Sequence, residues 1–278
     1  MTDSTPRLLA PAGTVDTHIH IYDSRYPLAP TARFAPPDAS VASYLAMCRR
    51  IGIARTVVVQ PSAYGTDNRC TLNAIATMGA VRARGIAVVD ENVTDAELDR
   101  LNKAGIRGVR FFMLPGGAIG WDKIAAIAQR VQPFGWHALL QFDGREFAER
   151  EAFIRQLPGT IVIDHVGKFL EPVPVEHPAF RSLLGLVESG RFYVKLAAPY
   201  ETSKLGPPYY DDVGALAKKL VATAPDRMMW ASNWPQPNPP AGVKPDNSVL
   251  LDLLLDWAPD DATRRKILID NPSRLYGF

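Results

Sequence analysis

Residues 14–20, Thr14-Val15-Asp16-Thr17-His18-Ile19-His20, read as a β-strand that ends in two histidines. Side chains at i and i+2 of a strand point to the same face, so the two imidazoles converge on one spot. Such a pair can chelate a metal, can bind and deprotonate a substrate, or can sit as a satisfied polar pair inside a barrel. The residues that the rest of the chain brings to the same spot decide between these.

Outward from this strand the same pattern recurs. Strand candidates end at His20, Gln60, Asp90, Phe112, Phe142, Asp164, Leu196 and Trp230. Each is followed by a helical pattern: 41–50, 71–84, 95–104, 121–131, 145–157, 180–188, 211–224 and 248–257. Eight strands alternating with eight helices predict parallel βα units closed into a (β/α)8 TIM barrel, an α/β fold, with an extra C-terminal helix near 262–269. The 278 residues suffice for one such domain, spanning 1–278, and nothing in them requires a second. Two proline-rich loops, 25–37 after the first strand and 235–245 after the eighth, fall where a barrel builds its mouth. They read either as pocket walls or as rigid surface connections.

Charge narrows the partners. Thirty-one basic and 29 acidic residues give a net charge of +2, which leaves no broad footprint for nucleic acid or an anionic membrane, so anion recognition must be local. The first residues lack the basic start and apolar run of a secretion signal, and nowhere do about 18 apolar residues run together. A cytoplasmic protein is expected. Cys48 and Cys70 are too few and too far apart for a disulfide framework or a zinc knuckle. The oligomeric state leaves no trace in the sequence.

In a barrel the carboxyl ends of the strands surround a common mouth, so polar residues there are candidates for chemistry. The eight ends supply His18 and His20, Arg110, Gln141 and Asp143, Asp164 and His165, and Asn233; the loop after the second strand adds Ser62, Tyr64, Asp67 and Asn68, and Lys168 follows His165.

These residues carry a resemblance. Asp16-Thr-His-Ile-His20, the isolated His165 and Trp230-Ala-Ser-Asn-Trp-Pro235 resemble the amidohydrolase superfamily, and Asn271-Pro-Ser-Arg-Leu-Tyr276 is similar to the ending of its amidohydrolase 2 branch. Within it, 60–68, 82–90 and 105–111 resemble the 2-pyrone-4,6-dicarboxylate lactonases. Leu114-Pro-Gly-Gly-Ala118, Gln141-Phe-Asp-Gly144, Gly167-Lys-Phe169 and Tyr200-Glu-Thr-Ser203 look closer to the D-galactarolactone isomerases, although the isomerase pattern has no histidine at the position of His18. The resemblance implies a metal site of the strand 1 histidines, a carboxylated lysine or glutamate from strand 4, histidines from strands 5 and 6, and an aspartate from strand 8. This chain departs from it with Arg110, Gln141 and Asn233. His137 lies four residues before Gln141, near the opposite end of the barrel. Losing anionic ligands while gaining a cation leaves a dication poorly compensated, so no metal and no cofactor is expected.

The expected substrate is a small anionic lactone of the sugar diacid type. Arg110 grips its carboxylate and Lys168 adds a point charge, or else these two pair with Asp90, Asp143 or Glu201. Gln141, Tyr64, Ser62, Asn68 and Tyr200 complete the binding set, and His18, His20, His165 and Asn233 the catalytic one, with a histidine moving the proton. The pyrone lactonases, as the resemblance implies, carry an aspartate at the position of Asn233 to deprotonate water, and an amide cannot accept that proton. Intramolecular attack by a substrate hydroxyl carries effective molarities up to about 10⁵ to 10⁸ M and needs less help from a base. Isomerisation of a 1,5- to a 1,4-lactone is therefore favoured. Lactone hydrolysis, a metal-dependent amidohydrolase using His18, His20 and His165, and a sugar-acid binding protein are the competing readings.

Overall fold

The computed structural model describes residues 4–237, 239 and 244–278. Eight strands, β1 (Val15–Ile19), β2 (Arg55–Val59), β3 (Ala83–Ala87), β4 (Ile106–Phe112), β5 (His137–Gln141), β6 (Ile161–Ile163), β7 (Phe192–Leu196) and β8 (Met228–Trp230), follow one another in sequence order, each parallel to the next. Helices α1 (Val41–Ile51), α2 (Arg69–Met78), α3 (Asp95–Lys103), α4 (Trp121–Val131), α5 (Phe147–Gln156), α6 (Pro178–Glu188) and α7 (Asp211–Thr223) connect them, making a single-domain (β/α)8 barrel. No helix among the described residues is long and apolar enough to cross a membrane.

Local chemistry fixes several helix ends. Thr94 accepts from the Glu97 amide at the start of α3, and His177 accepts from the Ala179 amide with Pro178 as the first residue of α6. The helix expected over 71–84 stops at Met78 instead, because Gly79 adopts φ +83° and the chain turns into β3 at Ala83. The segment expected as one helix over 248–257 breaks at Leu253 into α8 (Asn247–Asp252) and α9 (Leu254–Trp257). The last helical stretch runs beyond the expected end at 269. After α10 (Asp261–Arg265) it widens into a π-turn (Lys266–Asp270) and ends with α11 (Asn271–Tyr276).

A large apolar layer separates strands from helices, and a smaller one fills the lower barrel with Val15, Val57, Ile86, Leu139, Val162 and Met229, closed from below by the fully buried Tyr276. Above that layer the interior turns polar. Gly108 on β4 makes room for the His137 ring, since a Cβ there would lie 2.7–2.9 Å from His137 atoms.

The β8–β1 seam is closed differently from the other ladders. The His20 amide donates to the Trp234 carbonyl at 2.8 Å, and the buried Asp16 carboxylate accepts from the Ser232 amide (2.9 Å), the Ser232 hydroxyl (2.5 Å) and the Tyr44 hydroxyl (3.2 Å). Burial pushes Asp16 up to about 6 against these hydrogen bonds.

Candidate active site

The cavity at the carboxyl ends of the strands has a volume of about 300 Å³, and β1 aims the first residues into it. Three residues of β1, from Asp16 to Ile19, advance against two of β2, from Thr56 to Val58. This extra residue switches the face, so that Val15 packs in the lower core while His18 and His20 both turn inward.

Their tautomers follow from their neighbours. His20 Nδ1 lies 2.7 Å from the Val59 carbonyl, which can only accept, so Nδ1 carries the proton. His20 Nε2 is then a lone pair, and His18 Nε2, 3.2 Å away, donates to it. His18 Nδ1 is left to accept from Lys195 Nζ at 3.2 Å. Asp164 completes the cluster, with Oδ1 3.1 Å from His18 Nδ1 and 3.5 Å from Lys195 Nζ. Burial, reinforced by Lys195, holds His18 well below the ordinary histidine range; burial and then Arg110 push His20 down to about 3. Burial would raise Asp164, but Lys195 and the other cations outweigh it and hold it low, while burial brings Lys195 down to about 8.

After β6 the chain enters a left-handed turn: His165, Val166 and Lys168 have φ between +50° and +54°, and Gly167 has φ +85°. A β-branched residue in this region is strained by about 1–3 kcal/mol. The turn delivers both His165 and Lys168 to the cavity. The His165 ring lies 4.9 Å from that of His18, tilted by 46°, its Nδ1 is buried without a partner, and burial keeps the ring neutral. Lys168 pairs with Glu201, which comes from the short turn Pro199–Glu201 after β7. Asn233, left-handed at φ +54° as asparagine tolerates, donates from Nδ2 to Glu201 Oε1 and the Tyr200 hydroxyl, each at 2.8 Å. Its Oδ1 is buried with no partner.

Arg110 faces these groups from β4. It donates to the Gln60 carbonyl at 2.9 Å and to Gln141 Oε1 at 2.8 Å, its Nε has no partner, and among the described residues no carboxylate lies within ion-pair reach. The side chain is only 4% exposed, so a buried guanidinium without a counter-anion lines the cavity.

A family model for the amidohydrolases, Amidohydro_2, matches residues 15–278. The chain belongs to the amidohydrolase family. It is 35% identical to a 2-pyrone-4,6-dicarboxylate hydrolase of Comamonas testosteroni, over 98% of this chain and 93% of that protein. It is 32% identical to a D-galactarolactone isomerase of Agrobacterium fabrum, over 99% and 95% of the two chains. An apo crystal structure from Agrobacterium tumefaciens superposes with a TM-score of 0.92 at 33% identity, covering 98% of both chains.

This amidohydrolase brings His20, Arg110, Gln141, His165, Lys168, Asn233 and Ser62 to one cavity. His18 lies behind His20, and Tyr200 behind Asn233, each one hydrogen bond from the cavity wall. Tyr64 and Asn68 are placed elsewhere. The Tyr64 hydroxyl ties down the backbone of Asp23, and the Asn68 amide clasps Val88, accepting from its amide and donating to its carbonyl. Asp143 pairs with Arg145. Phe34 from one proline-rich loop and Pro237 from the other line the cavity; residues 238 and 240–243 of the second loop lie outside the described residues.

The sequence reading missed Lys195, Tyr22, Phe112 and the placement of Glu201 in the wall. Continuing the two-residue alternation finds three of them: Tyr22 follows His20, Phe112 follows Arg110, and Lys195 follows the inward Tyr193.

His18, Asp164 and His165 offer ligand atoms within 4.8 Å of one another, with His20 Nε2 beside them. The donor set fits a dication poorly. The chain of hydrogen bonds through His20 puts the His18 proton on Nε2, where a metal would need a lone pair, Lys195 offsets the Asp164 charge although Oδ2 has no partner, and Arg110 adds a second buried cation.

Proposed function

We propose that this amidohydrolase rearranges a carboxylated lactone of the sugar diacid type without a metal, by attack of a substrate hydroxyl on the ring carbonyl. The observation that supports this reading most directly is Arg110, a buried cation lacking an anion in a cavity wall. A substrate carboxylate supplies the missing partner, in a charge-assisted hydrogen bond worth about 1.5–3 kcal/mol. Two further buried atoms without partners, Asn233 Oδ1 and His165 Nδ1, suit a ligand rich in hydroxyls. The name of one relative, a galactarolactone isomerase, agrees with this chemistry.

In the rearrangement the 4-hydroxyl of a 1,5-lactone attacks C1, the tetrahedral oxyanion lies against donors from His165 and Arg110, and the ring oxygen leaves to give the 1,4-lactone. Asn233 Oδ1 accepts from a substrate hydroxyl and orients it. Hydrolysis is the second reading, favoured by the Glu201 carboxylate in the same wall, where it can serve a water as well as a hydroxyl.

A panel of sugar diacid lactones and pyrone dicarboxylates, followed by proton NMR and mass spectrometry in H₂¹⁸O, separates the two. A new ring without label is expected; label in an opened product moves the assignment to hydrolysis, and no turnover of any lactone removes both. Chelation is expected to leave the rate unchanged, and a loss restored by a divalent cation overturns the metal-free reading.

A further inference from the structure

We propose that Glu201 is the catalytic base and acid of this site, taking the proton from the attacking hydroxyl and returning it to the leaving ring oxygen. The inference rests on the lactone reading above and applies to either nucleophile. In the isomerisation the C1–O4 bond forms, the C1–O5 bond breaks, and one proton passes from O4 through the Glu201 carboxylate to O5. Nothing is oxidised or reduced. Both oxygens are bonded to C1 in the tetrahedral intermediate, so a single carboxylate can reach each in turn.

The case for Glu201 begins with the histidines. His20 reaches the cavity, but Nδ1–H is committed to Val59 and the Nε2 lone pair already receives the His18 proton. His18 stands behind it, wired to Lys195. His165 is buried, which disfavours a charged ring, and although Asp164 would favour one, His18, Lys168 and Arg110 oppose it. Protonating any of the three adds a cation to a site that already holds three. Protonating Glu201 neutralises an anion instead, and Glu201 is the carboxylate that lines the cavity among the described residues.

Its surroundings also present it as a base. Asn233 Nδ2 fixes Oε1 at 2.8 Å and Lys168 holds Oε2, so the carboxylate is oriented from two strand ends while its side chain stays 12% exposed, toward the cavity. The strand 8 amide therefore acts as a clamp that carries a carboxylate from the neighbouring loop to the reacting centre. This arrangement was hidden in the sequence because Glu201 and Asn233 are 32 residues apart.

The test is Glu201→Gln, assayed on whichever lactone the wild type converts, with Glu201→Asp beside it. The expected result is a kcat lower by about 10²- to 10⁴-fold with KM within about threefold. Glu201→Asp should regain part of kcat. A Gln variant with kcat within about threefold of wild type overturns the assignment. So does one that raises KM and keeps kcat, because Glu201 then only holds Lys168. If the Gln variant fails to fold, Glu201→Asp decides: unchanged kcat overturns the proposal, and lowered kcat with unchanged KM supports it. A wild type that converts no lactone overturns the lactone reading and the base together, whereas an active wild type with an indifferent Gln variant overturns the base alone.

Discussion

At the scale of single residues, Asn233 has two consequences that an aspartate would reverse. As an amide it offers no base of its own, and through Nδ2 it donates to Glu201 Oε1 at 2.8 Å. In Asn233→Asp two carboxylate oxygens would face each other across that distance, and like charges so close share a proton, with one pKa strongly raised. The acidic limb of kcat should move up by about one pH unit or more. The variant should also lose stability as pH rises through the raised pKa, since its folded state then gives up a proton that eased the repulsion. Rate profiles and thermal melts at pH 6 and 8 measure both; an unmoved limb shows that the two side chains do not meet. If the missing carboxylate is what silences water attack, Asn233→Asp also takes up label from H₂¹⁸O on a lactone that the wild type isomerises. A variant without label removes that account of the amide.

At the scale of elements, the alternation of strand and helix patterns was enough to place all eight strands, because each must bury a short apolar run beside a helix. The histidine pair, Arg110, Gln141, His165, Lys168 and Asn233 were legible for a related reason: strand ends in a barrel have only one mouth to face. Tyr64 and Asn68 misled because loop residues near that mouth can equally serve the backbone, and spacing does not distinguish the two. The β1 bulge and the role of Asp16 were illegible, since the first depends on the register against β2 and the second on Ser232, just beyond β8, coming alongside. Asp16 stands in the histidine stretch that identified the fold, yet it faces away from the cavity and ties Ser232, next to Asn233, to β1. Asp16→Ala leaves the Ser232 amide and the Ser232 hydroxyl short of an acceptor inside the protein, while the Tyr44 hydroxyl keeps Thr56. It should cost about 2–4 kcal/mol in denaturant unfolding and lower kcat through a displaced Asn233. A variant that is fully stable and fully active would show that the Ile19–Trp234 bridge holds the seam without it.

At the scale of the whole molecule, four of the five histidines are buried, and in all four burial favours the neutral ring. His20 and His137 are each pushed down to about 3, and His18 and His165 are also well below the usual range of about 6.5. The unfolded chain takes up protons below about pH 6.5 that the folded chain refuses, so stability must fall as pH drops from there. Asp16 works in the opposite direction. Raised to about 6, it lets the folded chain take a proton first, and its contribution grows between about pH 6 and 3.8. One carboxyl does not offset four rings. By pH 5.5 each ring held neutral removes on the order of 1 kcal/mol and Asp16 returns less than that, so the net loss is several kcal/mol. A domain of total stability about 5–15 kcal/mol feels such a loss, and at about 2–4 °C per kcal/mol the melting temperature should drop by roughly 10 °C or more between pH 7.5 and 5.5. A melting temperature that stays level over this interval would mean that at least part of the histidine cluster is protonated in the folded protein. The tautomer chain from Lys195 through His18 to His20 would then be wrong, because an added proton on either ring leaves no lone pair to receive the one before it.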